Sequence, residues 1–220
     1  VRPSRRVVGL LAGFGGPPQD PEAAGDPGGL VGLAQALSEG YGVTTVDLSD
    51  DGATVPDSVD VLVVAGPEEP LTEAATAELR RFLADGGNLF LMYQHIGIAA
   101  SQQFTEAAEQ PRLDALLAPY GVRVAPGLLV DLRSNEPLGL PGAGGATVQR
   151  PFPLFPIVVP VSEHPVVAGL SGVSLEFPSP LDLSGADTST VTPLLATTEF
   201  GAVMPSESPL DPALDWPRLV

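Results

Sequence analysis

Apolar residues in the first half of the chain occur in short continuous runs, separated by segments with helical spacing or rich in glycine and proline. Four runs have the length of a strand and contain many branched or aromatic side chains. Runs of this kind are typical of strands that are covered on both faces. They span residues 7–11, 43–48, 61–65 and 88–93. We therefore predict four adjacent, mainly parallel strands of one sheet.

A helical segment joins the third and fourth runs. Thr72 offers a hydroxyl group for the helix N-cap, and Leu79 and Phe82 recur at helical spacing. Gly86 and Gly87 then end the segment with residues that tolerate positive φ. A strand, a helix and a second strand in this order predict a right-handed parallel crossover in an α/β sheet.

The pattern changes beyond Gly139, where prolines interrupt a strand-like apolar run. The prolines stand at positions 151, 153, 156 and 160. Proline cannot donate to a β-ladder, so we expect this run to lie along a sheet edge or to cross the sheet in an extended form. Residues 174–177 and 191–197 are predicted to add late strands to the same domain.

The predicted domain organisation is a single α/β domain over residues 1–200. Residues 201–220 are rich in proline and acidic, which is typical of a tail or linker. The alternative is a strap in which Trp216, the only tryptophan, docks on the body of the protein.

Four sequence features together resemble one protein family. They are DVLVVAGPEEPLTEAATAELRRFLADGGNLFLM at residues 60–92, LDALLAPYGVRV at 113–124, the pairs Val130-Asp131 and Ser134-Asn135, and HPVVAGL at 164–170 followed by FPSPLD at 177–182. In their order and spacing they resemble the extracytoplasmic domain of GldG-like proteins, the auxiliary components of uncharacterised ABC-type transport and gliding-motility systems.

The resemblance and the order of the elements together predict a three-layer α/β fold. We expect it to be Rossmann-like, in the flavodoxin or class I glutamine-amidotransferase sense, with a mainly parallel sheet. The resemblance also implies an extracytoplasmic, periplasmic or cell-surface location in a membrane-anchored protein. The chain starts at Val1 and not at a methionine, and it shows no apolar region of a signal peptide, so we expect it to be part of a longer protein. The resemblance implies that the flanking segments include the membrane-spanning anchor.

Composition limits the partners that this protein can have. The chain has 220 residues, of which 44% are hydrophobic, so it can bury a core and is not disordered. The net charge is −17, and all ten basic residues are arginines. Because such a chain repels phosphate backbones, we expect no nucleic-acid binding and no basic patch for anionic lipids.

The residue types needed for several catalytic mechanisms are absent. The sequence has no cysteine, which excludes disulfides, a thiolate nucleophile and cysteine-based zinc sites. The absence of lysine excludes a P-loop, and the glycines after the first strand lack the third glycine of a dinucleotide fingerprint. The two histidines, His95 and His164, are too far apart in sequence to favour a metal site. We predict no catalytic residues, no metal and no cofactor.

We expect any ligand to bind beyond the carboxyl ends of the parallel strands, where loops of α/β sheets converge. This surface is predicted to be functional in preference to the proline-rich run. The candidate residues share a glycine backbone or a polar side chain and a position after a predicted strand. They are Gly13, Gly15, Gly16, Gly66, Gln94, His95, Arg133 and Asn135.

Three functions are consistent with these observations. The first is a non-catalytic auxiliary domain that binds an ABC-type permease or another transport-complex subunit, a transported substrate such as a carbohydrate or small ligand, or a surface polymer. The second is an amidotransferase-like or hydrolase-like enzyme with its site near Gln94 and His95, which the missing nucleophile disfavours. The third is a scaffold that binds no small ligand.

Overall fold

The computed structural model describes residues 5–16, 30–98, 107–109, 113–208, 210–211 and 216, with only the backbone at 107–109. The chain divides into two compact units. The first unit comprises Val1–Tyr93 and Gln110–Leu116, and the second comprises Gln94–Glu109 and Leu117–Val220.

The first unit contains the predicted parallel sheet. Its elements are β1 (Val7–Ala12), α1 (Val31–Ser38), β2 (Gly42–Asp47), β3 (Val61–Ala65), α2 (Glu73–Ala84) and β4 (Asn88–Met92). The strand order is β2-β1-β3-β4, and every pair is parallel. The prediction of four adjacent parallel strands is therefore confirmed.

Helix α2 forms where the sequence predicted it. The N–H of Ala75 donates to Oγ1 of Thr72 over 3.1 Å, so the threonine caps the helix. The buried residues Ala75, Leu79 and Phe82 lie on one side of α2 and pack in a cluster with residues of β2 and β3. Gly86 adopts a φ of +92° directly after the helix, as its position predicted.

The second unit is built from short antiparallel sheets. Its elements are β5 (Ile96–Ile98), β6 (Ala107–Glu109), α3 (Asp114–Leu117, which begins in the first unit), β7 (Arg123–Val124), β8 (Leu128–Asp131), β9 (Asn135–Pro141), β10 (Thr147–Pro160), β11 (Val173–Ser174), β12 (Leu181–Asp182), β13 (Leu195–Ala196) and β14 (Gly201–Met204). Strand β10 pairs with β9, β11 and β13, while β5 pairs with β6, β7 with β12 and β8 with β14. All of these pairings are antiparallel.

The predicted three-layer Rossmann-like fold with a mainly parallel sheet is therefore wrong for this chain. Among the described residues the parallel sheet has four strands, and the strands of the second unit pair in the antiparallel sense. An apolar run of strand length fits either kind of sheet, because its pattern does not specify the partner strand.

Strand β10 contains the proline-rich run. At Pro151 and Pro156 it pairs with β9, whereas β11 and β13 pair only with residues 157–160. Its pairing with β9 is irregular between Pro151 and Pro156, where the register shifts. Such an irregularity accommodates residues that cannot donate to the ladder. The two expectations for this run, a sheet edge or an extended crossing of the sheet, stay predictions.

An aromatic group forms part of the core of the second unit. Phe152 is fully buried and makes edge-to-face contacts with Phe155, Phe177 and Trp216, at centroid distances of 4.9, 6.1 and 5.6 Å. Trp216 is 4% exposed, and its Nε1 has no hydrogen-bond partner among the residues that are described. The division into a domain over residues 1–200 and a tail stays a prediction.

Candidate functional site

The predicted site residues belong to different units. Gly13, Gly15, Gly16 and Gly66 lie in the first unit, whereas Gln94, His95, Arg133 and Asn135 lie in the second.

The glycines after β1 are required by the packing of neighbouring loops. Gly13 has a φ of +94°, and a Cβ atom there would lie 2.3 Å from Oδ1 of Asp47. A Cβ atom on Gly16 would lie 2.9 Å from the carbonyl oxygen of Ala65. These distances are too short for any side chain, so loop packing explains both glycines without a ligand.

Hydrogen bonds connect the loops that follow β1 and β3. The carbonyl oxygen of Phe14 accepts from the N–H groups of Glu68 and Glu69, over 2.9 and 3.0 Å. Gly66 has a φ of +44°, and its N–H donates to the carbonyl oxygen of Met92 over 2.8 Å. A ligand-binding role for Gly13, Gly15 and Gly66 stays a prediction.

His95 is buried in the second unit. The residue is 4% exposed, and its backbone N–H donates to Oγ of Ser179 over 2.8 Å. Its side-chain Nδ1 has no hydrogen-bond partner in the described part of the chain. Gln94 beside it is partly exposed. A base must reach the proton that it takes from a substrate, so the burial of His95 disfavours acid–base catalysis.

Asp131, the last residue of β8, organises the region that contains Arg133. Its side chain is fully buried, and each carboxylate oxygen accepts two hydrogen bonds. Oδ1 accepts from the N–H groups of Arg133 and Ser134, over 2.9 and 2.8 Å. Oδ2 accepts from the N–H and Oγ1–H of Thr198, over 2.8 and 2.7 Å. One carboxylate therefore fixes two turns that are far apart in sequence.

The pKa of Asp131 reflects two opposing effects. Burial raises the pKa, but the hydrogen bonds from Ser134, Thr198 and Arg133 stabilise the carboxylate. The hydrogen bonds outweigh burial, so the pKa lies below its ordinary value of 3.8. Asp131 is consequently a structural anion.

Arg133 is exposed next to this network. Its Cζ atom lies 4.2 Å from the centroid of the Phe200 ring, and the N–H of Leu132 donates to the carbonyl oxygen of Phe200 over 3.2 Å. No described carboxylate lies within ion-pair distance of Arg133. A stacked guanidinium keeps its N–H groups free to donate to a carboxylate of another molecule.

Asn135 supports the same turn instead of facing a separate site. Its Nδ2 donates to the backbone carbonyl of Asp131 over 2.9 Å. Oγ of Ser134 donates to the carbonyl oxygen of Ile157 over 2.8 Å, which ties the turn to β10. The structure thus brings Arg133 and Asn135 together on one turn, and we call Arg133, Phe200 and the turn between Asp131 and Asn135 the Arg133 surface.

Asp131, Thr198 and Phe200 also belong to this surface, although they are not among the residues predicted from the sequence. Asp131 and Ser134 have the spacing of an aspartate-capped turn, which is a usable local signal. Thr198 stands 67 residues away, and no local pattern connects it to Asp131.

The described part of the chain contains neither a candidate membrane span nor a candidate metal site. No helix there is both long and apolar enough to cross a membrane. The described residues also contain no group of three acidic or histidine side chains that could hold a metal ion.

One solved structure gives a fold comparison. The mmIFT52 N-terminal domain matches with a TM-score of 0.58, covering 94% of this chain and 77% of that chain, at 15% sequence identity. At this identity the likeness concerns the fold alone. Comparison with curated protein sequences finds no match.

The family comparison covers almost the whole chain. The model of the family ABC_transp_aux, described as "ABC-type uncharacterized transport system", matches residues 5–218. This match confirms the resemblance to GldG-like auxiliary proteins and associates the chain with an ABC-type transport system. The chain belongs to the ABC_transp_aux family of auxiliary proteins of ABC-type transport systems.

Proposed function

We propose that this protein acts without catalysis and binds a partner subunit of its ABC-type transport system through the Arg133 surface. The observation that carries the proposal is the exposed guanidinium of Arg133, which stacks on Phe200 and has no carboxylate partner among the described residues. Arginine is enriched where interfaces have their largest binding energies.

The rigidity of the turn supports this role. Asp131 fixes the backbone N–H groups of Arg133 and Ser134 and also binds Thr198, just before Phe200, before any partner arrives. A side chain that is already positioned loses less conformational entropy on binding. The Arg133 surface is therefore suited to act as a preorganised contact.

The charges around Arg133 indicate the chemistry of the partner. Glu136 is close to Arg133 in sequence, Glu199 directly precedes Phe200, on which Arg133 stacks, and both glutamates are exposed. A single guanidinium with carboxylates nearby is unfavourable for a polyanion but suits a protein surface of mixed charge. A subunit of the transport complex is thus a better partner than a phosphate-rich ligand.

The geometry near His95 gives less support to an enzyme. The hydroxyl of Ser179 accepts from the backbone N–H of His95, while Nδ1 of the ring has no partner in the described region. A serine nucleophile needs its hydroxyl against a ring nitrogen of the base. The sequence has no cysteine that could replace it.

The extracytoplasmic location and the membrane anchor in this proposal come from the resemblance to GldG-like proteins. Digestion by protease added to intact cells that carry the full-length protein tests them. We expect cleavage of this domain outside the cytoplasmic membrane, and protection in intact cells would contradict the location.

The binding proposal is tested with the purified permease of the same transport system in detergent, by biolayer interferometry. We expect Arg133→Ala to weaken binding at least about tenfold, which corresponds to about 1.4 kcal/mol. Arg133→Lys should restore only part of the affinity, because it keeps the charge and loses the planar fork.

Arg150→Ala provides the matched control, because Arg150 is exposed on β10 away from the Asp131 turn. We expect it to change the affinity less than about twofold. Equal binding by wild type and Arg133→Ala would contradict the surface. Absence of any binding to the transport-complex subunits would favour a pure scaffold, and turnover lost in His95→Ala would favour the enzyme.

A further inference from the structure

Strand β4 is an edge strand of the parallel sheet. The order β2-β1-β3-β4 places it at one end, and no described strand lies beyond it. The N–H of Asn88 donates toward β3 over 3.3 Å, and the carbonyl of Met92 accepts from that side over 2.8 Å. Because these groups alternate along a parallel strand, the backbone groups of Leu89 and Leu91 face outward.

The outer edge of β4 lacks the features that usually prevent strand pairing. Proteins protect such edges with charged residues, prolines or bulges. β4 consists of Asn-Leu-Phe-Leu-Met, and its pairing with β3 has no irregularity. The opposite edge strand, β2, presents the polar residues Thr44, Thr45 and Asp47 to solvent. The two edges of the sheet are therefore chemically different.

Large apolar side chains are exposed on one face of β4. Phe90 is 56% exposed and Met92 is 44% exposed. Across the strand pair they lie opposite Val63 and Ala65, which pack in the same cluster as residues of α1. Helix α1 contacts β2, at the other end of the sheet order. Phe90 and Met92 thus form an apolar strip beside an open backbone edge.

Acidic residues lie at the end of this strip where β4 begins. Asp57, Asp60 and Asp85 line a groove of about 450 Å³ at the amino ends of the strands. An extended segment along the edge would have its centre on apolar side chains and one end near carboxylates.

Two arginines also line the groove but do not cancel its negative charge. Arg81 is bound within the protein, at 2.7 Å from Oε1 of Glu78 and 2.6 Å from Oδ2 of Asp85. Only Arg6 remains to balance Asp57 and Asp60.

We propose that the outer edge of β4 accepts an extended segment of another protein, with an apolar centre and a basic end, by β-strand addition. The open backbone groups specify a strand, the exposed Phe90 and Met92 specify an apolar centre, and the carboxylates of the groove specify a basic end. The assignment of this segment to a transport-complex subunit rests on the proposed function, whereas the binding edge does not.

A second copy of this chain is a poorer occupant. Each chain has a net charge of −17, so pairing of two β4 strands would bring two strongly negative molecules together. The charge complementarity therefore favours a basic segment from a different protein.

The test uses a fluorescein-labelled synthetic peptide with alternating valine and threonine at its centre and lysines at both ends. Fluorescence anisotropy measures its binding to the full chain. We expect binding that Phe90→Lys weakens at least about tenfold, because the change removes an apolar contact and adds repulsion. Val203→Lys is the matched control, since Val203 is 54% exposed on strand β14, and it should change the affinity less than about twofold.

Hydrogen exchange gives a second measurement that depends on strand pairing. The peptide should slow exchange of the outward N–H groups of Leu89 and Leu91, which have no partner in the described structure. Leu91→Pro should abolish binding by removing one of these donors. Circular dichroism checks that each variant is folded, and the Phe90→Lys and exchange results stand if Leu91→Pro unfolds.

Several results would overturn the proposal. These are no binding of the peptide, equal binding of a control peptide with the same lysines around glycine and proline, or unchanged exchange at β4. A dimer in light scattering that Phe90→Lys disrupts would assign the edge to a second copy. Arg133→Ala should bind the peptide as wild type does, so this test is separate from the test of the Arg133 surface.

Discussion

The buried carboxylate of Asp131 leads to a quantitative prediction for Asp131→Asn. Asparagine keeps one carbonyl oxygen, which can still accept from Arg133 and Ser134. Its amide NH2 group would then face the N–H and the hydroxyl of Thr198, which donate to Oδ2 in the wild type over 2.8 and 2.7 Å. The substitution therefore removes two hydrogen bonds to a charged acceptor and leaves a donor unpaired.

The expected loss of stability follows from these two bonds. Each hydrogen bond to a charged group contributes about 1.5–3 kcal/mol, so we expect the free energy of unfolding to fall by about 4 kcal/mol. With a urea m-value of about 2 kcal/mol per molar, the unfolding midpoint should fall by about 2 M. The fluorescence of Trp216 reports this transition, since it is the only tryptophan and is buried in the same unit as Asp131.

The dependence on pH gives an independent check. The pKa of Asp131 is lower in the folded chain than its ordinary value of 3.8. The stabilisation is therefore fully present above that value and is lost as the pH falls through the folded pKa. The difference between wild type and Asp131→Asn should be constant from about pH 5 to 8 and should narrow in more acidic solution.

Asp187→Asn is the control for the change from carboxylate to amide. Asp187 is exposed, and its Oδ1 accepts from the N–H of Ser189 over 2.8 Å. We expect its midpoint to stay close to that of wild type. The reasoning is refuted if Asp131→Asn unfolds at the same urea concentration as Asp187→Asn, or if its difference from wild type widens as the pH falls.

Three further substitutions test individual contacts. Gly13→Ala should lower the free energy of unfolding, obtained from thermal denaturation followed by circular dichroism, by about 2 kcal/mol or more beyond the loss in Gly52→Ala. Both sites have positive φ, but only at Gly13 would the added Cβ atom meet a neighbour, Oδ1 of Asp47 at 2.3 Å. Equal losses in the two variants would contradict the clash. Trp216→Phe should cost less than about 1.5 kcal/mol in urea unfolding followed by circular dichroism, because its buried N–H has no described partner, and a loss above about 3 kcal/mol would indicate a missed bond. Thr72→Ala should cost about 1 kcal/mol of unfolding free energy through loss of the α2 N-cap, and an unchanged value would mean that the cap is dispensable.

The parallel sheet was predictable because its signals are local. Branched apolar runs, the threonine cap and the glycine after α2 each act within a few residues, and one helix between two strands requires a parallel crossover. The four strands consequently lie where the sequence predicted them.

The antiparallel sheets could not be predicted in the same way. Strand β8 pairs with β14 and β7 with β12, so each partner is many residues away along the chain. The run containing Pro151 and Pro156 was expected at an edge or in an extended crossing, and its own pattern did not identify β9, with its irregular register, as the partner strand. The pattern of one segment does not show which segment lies beside it.

The sequence by itself determined the types of the early elements, the negative charge of the protein and the absence of a cysteine nucleophile. Only the tertiary structure decided that His95 is buried, that Arg133 stacks on Phe200 and that no described strand pairs with the outer edge of β4. The physical reason is the range of the interactions, because caps and helical spacing act over a few residues. Burial, stacking and strand pairing instead depend on groups such as Asp131 and Thr198, which only the folded chain brings together.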